Sequence, residues 1–229
     1  MTHPDWLQPL LSSLDGFSIW GRMVGEAPAG VRQSAVLVLF GEGPDGPDVL
    51  LIQRSPHLRS HAGQPAFPGG GIDSTEDAVT AALREAEEET GLNPAGVDVL
   101  AVLEELWVPP SGNVVTPVLA WWREPSEVSP ADVREVASVA RVPIAELADP
   151  DNRVQVRAPS GRVGVAFQVA DMLVWGFTAA VLARLLELGG WEQSWDTERV
   201  VDLPDETLRL AMRQPTSERR LGPTGEGGS

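Results

Sequence analysis

The chain has 229 residues, with 33 acidic and 17 basic side chains and a formal net charge of −16. Its length suits one large domain or a domain with extensions, and 42% hydrophobic residues support a globular core. The acidic balance argues against general nucleic-acid binding, which relies on basic surfaces that neutralise phosphates. The absence of cysteine excludes disulfides, thiolate metal sites and cysteine nucleophiles, and the absence of lysine excludes Schiff-base chemistry.

No apolar run approaches the roughly 18 residues that a membrane-spanning helix needs. The longest candidate, residues 174–188, contains Arg184 and Glu187. The first residues, MTHPDWLQPLLSSLDGF, lack the basic start and long apolar stretch of a secretory signal. We therefore expect a cytoplasmic protein without a membrane span.

The N-terminal part predicts a short helix and then a hairpin. Residues 1–30 predict an amphipathic helix followed by a linker rich in Gly, Pro and Ala. The apolar side chains of this helix are Trp6, Leu7, Leu10 and Leu11. The runs SAVLVLF (34–40) and DVLLIQ (48–53) predict two strands, joined by a longer Gly/Pro/Asp loop over residues 41–47.

The segment RSPHLRSHAGQPAFPGGG, residues 54–71, is unusually basic for so acidic a chain. It holds two arginines and two of the three histidines, namely Arg54, His57, Arg59 and His61. Arginine suits bidentate contacts with phosphate groups, so the segment is a candidate phosphate-binding loop. An ordinary polar loop is the alternative, and the position directly before an acidic helix favours a functional role.

Residues 70–92, GGIDSTEDAVTAALREAEEETGL, predict a glycine turn followed by a helix. Asp73 or Ser74 is expected to cap the helix, with an acidic residue three positions on. Alanine and leucine favour a helical interior. Gly91 fits the position after the last turn, and Pro94 prevents continuation.

Three carboxylates of this helix fall on one face of a helical wheel, those of Glu85, Glu88 and Glu89. Val79, Leu83 and Ala86 form the opposite, apolar face. Like charges at this spacing destabilise a helix by roughly a few tenths of a kcal/mol per pair. Either the carboxylates point into solvent, as in an ordinary acidic face, or a cation neutralises them. Mg²⁺ usually combines one or two carboxylates with waters and phosphates.

Alternating strands and helices are predicted downstream. The predicted strands cover residues 97–108, 114–122, 133–142 and 196–203, with a hairpin at 153–157 and 163–169. The predicted helices cover residues 143–147 and 174–188, with a helical turn at 208–212. Glu104 or Glu105 is either an additional metal ligand or base, or a solvent-facing carboxylate, which we favour. Pro117 is expected at a strand edge or bulge, and residues 215–229 are expected to be disordered.

The helix and the basic loop carry two motifs that resemble a known enzyme family. Residues 70–91 fit G-x5-E-x7-R-E-x-x-E-E-x-G without a gap, with the fixed positions at Gly70, Glu76, Arg84, Glu85, Glu88, Glu89 and Gly91. This pattern resembles the box of the Nudix hydrolases, and it favours a cation over a solvated face. Residues 50–70 resemble the motif LLT-x-RS-x3-R-x3-G-x3-FPGG of the coenzyme A pyrophosphatase branch, with Ile52 in place of threonine. The segment SGNVVTP, residues 111–117, is also similar to these enzymes.

The resemblance implies an α/β protein with the Nudix fold, an α/β/α sandwich around a mixed β-sheet with a loop-helix-loop catalytic box. It implies that Mg²⁺ or Mn²⁺ is held by Glu85, Glu88, Glu89 and the backbone carbonyl of Gly70. Arg84 is expected to orient these carboxylates, and Glu76 to support the loops structurally. One of the glutamates, or a carboxylate from another loop, is expected to act as the general base.

The branch motif implies coenzyme A or an acyl-CoA as substrate, cleaved at the diphosphate bond to 3′,5′-ADP and (acyl-)4′-phosphopantetheine. Arg54, Arg59 and His61 are then candidate phosphate contacts. Two alternatives remain open. One is a Nudix hydrolase of another nucleoside diphosphate derivative, such as ADP-ribose or NADH. The other is a non-catalytic Nudix-like binding module, although such modules typically lose box carboxylates.

The expected organisation is a Nudix domain over residues 31–190. An N-terminal helix and linker (1–30) precede it, and a partly disordered extension (191–229) follows it. A homodimer is one assembly open to such a protein, and no nucleic-acid partner is expected.

Overall fold

The structure is a computed structural model that describes residues 3–14, 27–58, 60–108, 111–158 and 161–211. The helices are α1 (Gln8–Leu14), α2 (Ala78–Thr90), α3 (Ile144–Ala148), α4 (Gly176–Leu188) and α5 (Asp205–Ala211). The strands are β1 (Arg32–Gly43), β2 (Gly46–Arg54), β3 (Pro65–Ala66), β4 (Gly69–Gly71), β5 (Val97–Val102), β6 (Leu106–Val108), β7 (Asn113–Trp122), β8 (Val136–Pro143), β9 (Arg153–Arg157), β10 (Val163–Val169), β11 (Met172–Val174) and β12 (Val200–Asp202).

The larger sheet has β1 at its centre. Its path runs β3-β2-β1-β7-β5, and β4, β6 and β8 pair with β1, β7 and β2. β1 and β7 run parallel, from the pair Arg32 and Asn113 to the pair Phe40 and Trp121. The other pairings in this sheet are antiparallel. The sheet is therefore mixed, as predicted.

The residues of β1 pack on both faces of the larger sheet. Leu37 and Leu39 join an apolar cluster with the alanines of α2. Val38 and Phe40 join the cluster on the opposite face, which includes side chains of α1 and α4. Because successive strand residues point to opposite faces, this one apolar run serves two cores. Helices cover both faces of the sheet, and the predicted α/β/α sandwich is confirmed.

The N-terminal helix packs against the main core. The ring of Trp6 lies 5.8 Å from that of Trp121 and 5.9 Å from that of Trp191. Leu7 and Leu10 are fully buried. Full burial of a leucine stabilises a fold by about 1.5–3 kcal/mol, so apolar contacts hold α1 in place, as its amphipathic pattern predicts.

A smaller sheet with the order β11-β10-β9-β12 comes later in the chain. β9 and β10 form the predicted hairpin, with Arg157 opposite Val163. β12 pairs in parallel with β9, which confirms a strand within residues 196–203.

Arg153 ties this smaller sheet to the segment that follows α4. Its side chain is only 2% exposed, and its Nη1 lies 3.0 Å from Glu192 Oε1. The guanidinium carbon lies 5.3 Å from the ring centroid of Phe167 and 4.7 Å from that of Trp195. Cation–π contacts of this kind strengthen when water is excluded, so Arg153 fixes residues 192–195 against β9 and β10.

Two strand predictions differ from the structure. The hairpin of β1 and β2 closes tightly through Pro44 and Asp45, because Gly43 pairs with Gly46. Gly46 has a φ of 98°, which glycine adopts without steric penalty, so the longer predicted loop is wrong. The strand predicted at 97–108 is interrupted, and its two parts, β5 and β6, both pair with β7.

Pro117 lies inside a central strand, β7, so of the two predicted positions, an edge or a bulge, the edge is wrong. Its carbonyl accepts a hydrogen bond from Leu103 N–H at 2.9 Å. The ring nitrogen of Pro117 therefore faces the break between β5 and β6. A proline has no N–H to donate, and the interruption falls where that donor is missing.

Gly91 ends α2 with a φ of 71°, as predicted. Other elements begin at residues that differ from the prediction. β8 begins at Val136, and Val133, in the predicted strand, is 71% exposed. The predicted turn at 208–212 belongs to α5, whereas residues 215–229 lie outside the described residues.

Every helix in the described ranges falls short of the length and apolarity that crossing a bilayer requires.

Candidate active site

The acidic helix α2 begins later than the sequence predicts. Asp77 caps it by accepting a hydrogen bond from Thr80 N–H at 2.8 Å. The predicted caps, Asp73 and Ser74, are wrong. Residues 73–76 form a separate turn, in which Glu76 N–H donates to the Asp73 carbonyl at 3.0 Å. The helix therefore starts only after this turn is complete.

Arg84 lies at the centre of the acidic face. Its Nε and Nη2 donate to the two oxygens of Glu76 at 2.8 and 3.1 Å. Its Nη1 donates to Glu85 Oε1 at 3.0 Å and to Glu88 Oε2 at 3.1 Å. Nη2 also donates to the Gly71 carbonyl at 3.2 Å. The hydrogen bonds between Arg84 and Glu76 raise the pKa of the arginine and lower the pKa of the glutamate.

The short strand β4 brings glycines against the carboxylates. Gly69 N–H donates to Glu89 Oε2 at 2.9 Å. A Cβ on Gly70 would lie 2.4 Å from Glu85 Cδ, and a Cβ on Gly69 would lie 2.3 Å from the Ala35 carbonyl oxygen. Real Cβ atoms do not come this close to other heavy atoms, so only glycine fits these positions without displacement.

Glu89 is buried and Glu85 is half-buried, and the pKa of each carboxyl group is raised. Burial raises the pKa of Glu89 to about 7, although the Gly69 N–H and the charge of Arg54 oppose the rise. Burial also raises the pKa of Glu85. Repulsion from neighbouring carboxylates, including that of Glu135, raises both values further. A bound cation would favour the ionised forms of these groups.

A cavity of about 420 Å³ adjoins Glu85 and Glu89. Its wall includes residues of β1, β4, the start of α4 and the region around residues 108–115. The basic loop contributes Arg54 and His61, and the glycine turn contributes Gly70. The two sequence motifs therefore meet in one cavity.

Arg54 and His61 are held differently in this wall. Arg54 Nη1 donates to Glu89 Oε1 across a long 3.4 Å, and its Nε is buried without a partner among the described residues. His61 Nδ1 lies 3.0 Å from Gln64 Oε1, with the backbone in the left-handed region at a φ of 52°. That conformation costs on the order of 1–3 kcal/mol in a non-glycine residue, so the surrounding contacts must hold His61 in place.

Other sequence candidates do not line the cavity. Glu88 is held by its helix neighbour, but 59% of its side chain is exposed. Three further candidates are exposed and lie outside the cavity wall, namely Glu104, Glu105 and His57. The exposure of the two glutamates agrees with the interpretation that they face solvent. Arg59 lies outside the described residues.

The wall also contains side chains that were not predicted as site residues: Arg32, Ser111, Asn113, Glu135 and Phe177. Ser111 and Asn113 belong to the SGNVVTP segment, so a signal for them existed. A single glutamate in an acidic chain forms no pattern, and Glu135 is placed by tertiary contacts. Ala131 N–H donates to the Glu89 carbonyl at 3.1 Å, and Ser55 N–H donates to the Glu135 carbonyl at 2.8 Å.

Two later helices support the basic loop. Leu210 of α5 is buried, and its Cδ1 lies 2.7 Å from the position that a Cβ on Gly63 would take. Thr178 Oγ1 of α4 donates to the Pro65 carbonyl at 3.2 Å. The loop that carries Arg54 and His61 therefore rests on both helices.

Comparison with known proteins identifies the family. The NUDIX domain model matches residues 31–160, which is more than half of the chain. The chain belongs to the Nudix family. The uncharacterized Nudix hydrolase NudL of Shigella flexneri serotype 5b is 38% identical over 186 residues, covering 77% of this chain and 93% of the relative. The NudL protein of Escherichia coli K12 is 40% identical over 168 residues, covering 69% of this chain and 83% of the relative.

A solved structure supports the same assignment. The Nudix hydrolase RenU of M. smegmatis is 26% identical and superposes with a TM-score of 0.51, covering 72% of this chain and 89% of that chain. The Nudix fold is therefore confirmed, and the protein is a Nudix hydrolase.

Nudix hydrolases generally need a divalent metal such as Mg²⁺ or Mn²⁺, and the residues around Gly70 fit such an ion. All the donors are oxygens, which hard cations prefer. Arg84 uses one oxygen each of Glu85 and Glu88, which leaves the second oxygen of each for a ligand. Among the described residues, no three His, Asp or Glu side chains already converge on one point. Mg²⁺ commonly completes its coordination with waters and substrate phosphates.

Gly70→Ala should damage the site and leave the fold intact. The added Cβ would collide with the Glu85 carboxylate, which can move because it ends a flexible side chain. Because displacement of a catalytic group by an ångström can slow a reaction on the order of 100-fold, we expect a comparable loss of turnover. Steady-state hydrolysis and thermal unfolding measure the two effects.

Gly71→Ala is the matched control, because nothing lies within 4 Å of its Cβ position. It should keep nearly full activity. Equal activity of the two alanine variants would contradict the position of Glu85 against Gly70.

The buried Glu89 predicts a pH dependence of stability in the presence of a chelator. Its pKa is raised from 4.5 to about 7 in the folded protein, so the folded state holds this proton more tightly than the unfolded chain. The free energy of unfolding should therefore fall as the pH rises from 4.5 through 7. Without a cation, the ionisation of Glu89 should lower the free energy of unfolding by an amount on the order of 3 kcal/mol across this pH range.

Denaturant unfolding across this pH range tests the prediction. Glu89→Gln should show a flatter profile than the wild type. Glu87→Gln, an exposed neighbour on the same helix, should follow the wild-type profile. If the wild type and Glu89→Gln follow parallel profiles, the raised pKa is wrong.

Proposed function

We propose that this Nudix hydrolase cleaves the diphosphate bond of coenzyme A or an acyl-CoA, with Mg²⁺ or Mn²⁺ as cofactor. One observation carries the proposal: Arg54 and His61 of the upstream motif line the same cavity as Glu85 and Glu89 of the box. The box supports the reaction class. The upstream loop, which resembles the coenzyme A pyrophosphatase branch, supports the substrate.

The carboxylates and the glycine turn would hold the cation. Glu85, Glu88, Glu89 and the Gly70 carbonyl are the proposed ligands, and Arg84 keeps Glu85 and Glu88 oriented through its Nη1. When bound, the ion would neutralise phosphate charge and lower the pKa of an attacking water.

The basic loop would hold the diphosphate. The buried Nε of Arg54 has no partner among the described residues, so a phosphate oxygen could accept its hydrogen bond. The long contact with Glu89 leaves Arg54 free to share its charge with a substrate. His61 lines the same wall, and Arg59 is proposed as a contact from the motif alone.

The reaction consumes one water. Its oxygen bonds to one phosphorus of the diphosphate, and the bond from that phosphorus to the bridging oxygen breaks. The other phosphate leaves with the bridging oxygen. The products are 3′,5′-ADP and (acyl-)4′-phosphopantetheine.

The proton of the attacking water would pass to a carboxylate. Glu85, Glu88 and Glu89 are candidates for this general base. Glu135 is a specific candidate from another loop, because it lies in the cavity wall and its charge raises the pKa of Glu85 and Glu89. Glu76, which holds Arg84 with both oxygens, has a structural role in this proposal.

A Nudix hydrolase of ADP-ribose or NADH is the second candidate, because it would use the same box. The branch motif in the cavity wall favours coenzyme A over these substrates. A non-catalytic binding module is disfavoured by the complete set of box carboxylates. A cytoplasmic location and a homodimer are further proposals from the sequence.

A substrate panel tests the proposal. The protein should release 3′,5′-ADP from coenzyme A with Mg²⁺ or Mn²⁺, and a chelator should abolish the release. Chromatography of the products measures this directly. Intact coenzyme A under conditions where ADP-ribose or NADH is cleaved would overturn the substrate and keep the class. Failure of metal-dependent hydrolysis across the panel would support a binding module.

Glu89→Gln should lower turnover by orders of magnitude, because it removes a proposed metal ligand and candidate base. The fold should persist, because the amide fills the same volume and its oxygen still accepts from Gly69 N–H. Glu87→Gln changes the same charge on an exposed position and should leave turnover unchanged. A near-wild-type rate for Glu89→Gln would contradict the metal assignment.

A further inference from the structure

Arg32 is a basic residue of the cavity wall that belongs to neither motif. It lies at the start of β1 and is exposed. Its side chain makes no hydrogen bond or ion pair with any described residue, whereas most described arginines pair with a carboxylate. In a chain with a net charge of −16, a cavity-lining guanidinium that pairs with no carboxylate of the described ranges is available to bind an anion.

The strand register separates Arg32 from the carboxylates. On β1, Ala35 pairs with Gly70 and Ser34 pairs with Gly71. Arg32 lies three residues before Ala35, and a strand rises about 3.3 Å per residue, so their backbones are about 10 Å apart. The proposed metal site adjoins Gly70, so Arg32 would reach a group some distance from the bond that is cleaved.

The strand neighbours of Arg32 in the cavity wall are neutral. On β7, Arg32 pairs with Asn113, which in turn pairs with Val108 on β6. Arg32, Ser34 and Val36 alternate along β1 and all line the cavity. No described carboxylate neutralises this end of the wall by pairing with Arg32. An anionic group here would meet one cation and neutral side chains, of which Ser34 and Asn113 are polar.

We infer that Arg32 binds the 3′-phosphate of the coenzyme A nucleotide and so contributes to substrate selection. This inference rests on the proposed function. Coenzyme A carries a phosphomonoester on the ribose, separate from the diphosphate that is cleaved. ADP-ribose, NADH and dephospho-CoA lack that group. A guanidinium binds a phosphomonoester through paired, charge-assisted hydrogen bonds, and its position beyond the carboxylates suits a group beyond the diphosphate.

The decisive comparison is between coenzyme A and dephospho-CoA, which differ only in the 3′-phosphate. In Arg32→Gln, KM for coenzyme A should rise about tenfold, as expected for loss of a charge-assisted contact. Its kcat should stay within about twofold, because the contact would be equal in the bound and transition states. Both constants for dephospho-CoA should be unchanged.

Arg157→Gln is the matched control. It removes the same charge from an exposed arginine of β9 outside the cavity wall, so its KM for both substrates should match the wild type. Arg32→Lys should restore part of the affinity for coenzyme A. Inhibition by 3′,5′-ADP should weaken in Arg32→Gln, whereas inhibition by 5′-AMP should not.

The outcomes separate the two proposals. Failure of the wild type to cleave coenzyme A overturns the proposed function and the inference that rests on it. Cleavage of coenzyme A by the wild type, with equal effects of Arg32→Gln on both substrates or no effect on either, overturns only the role of Arg32. A thermal unfolding midpoint equal to that of the wild type would show that Arg32→Gln acts on binding.

Discussion

The contacts of Arg84 make the acidic helix compatible with the fold. Three glutamates at helical spacing repel one another, and the arginine offsets that repulsion by donating to Glu85 and Glu88. Its other donors hold Glu76 and the Gly71 carbonyl. Glu76 in turn accepts from Asp73 N–H at 3.2 Å. Hydrogen bonds to a single guanidinium therefore connect the entry turn, the helix and the glycine strand.

Glu89 shows the opposite balance. Its carboxylate is buried, it has one backbone donor at 2.9 Å, and its basic neighbour lies at a long 3.4 Å. The folded protein therefore holds this group in surroundings that disfavour its charge. In an ion pair that served stability alone, the two charged groups would be expected to lie closer together than the 3.4 Å between Arg54 Nη1 and Glu89 Oε1. Buried carboxylates whose pKa rises beside other carboxylates in a cavity are typical of functional sites. A cation held as proposed would favour the ionised form of Glu89, and the same ion would assist hydrolysis.

Much of this arrangement could be predicted from the sequence, because its signals are local. The period of α2, the apolar runs of β1 and β2, and the spacing of the box glutamates lie within short windows. The predicted helix start is wrong because the acidic residues three positions after Asp73 and Ser74 favour those two as caps, whereas Glu76 closes a turn with Asp73 and Asp77 caps the helix. The central position of Pro117 depends on an interruption in another strand. Arg32 and Glu135 reach the cavity through strand register and loop contacts, which leave no local pattern.

The packing of Leu210 on Gly63 has a consequence for how the protein matures. The cavity wall begins at Arg32 and continues to Phe177, but the loop that carries Arg54 and His61 also rests on a side chain near the end of the described chain. Synthesis proceeds from the N-terminus, so the acidic helix and its arginine emerge long before this support exists. The acidic helix, which carries the proposed metal ligands, is therefore synthesised well before the cavity wall can be completed, because that wall needs the support of residue 210.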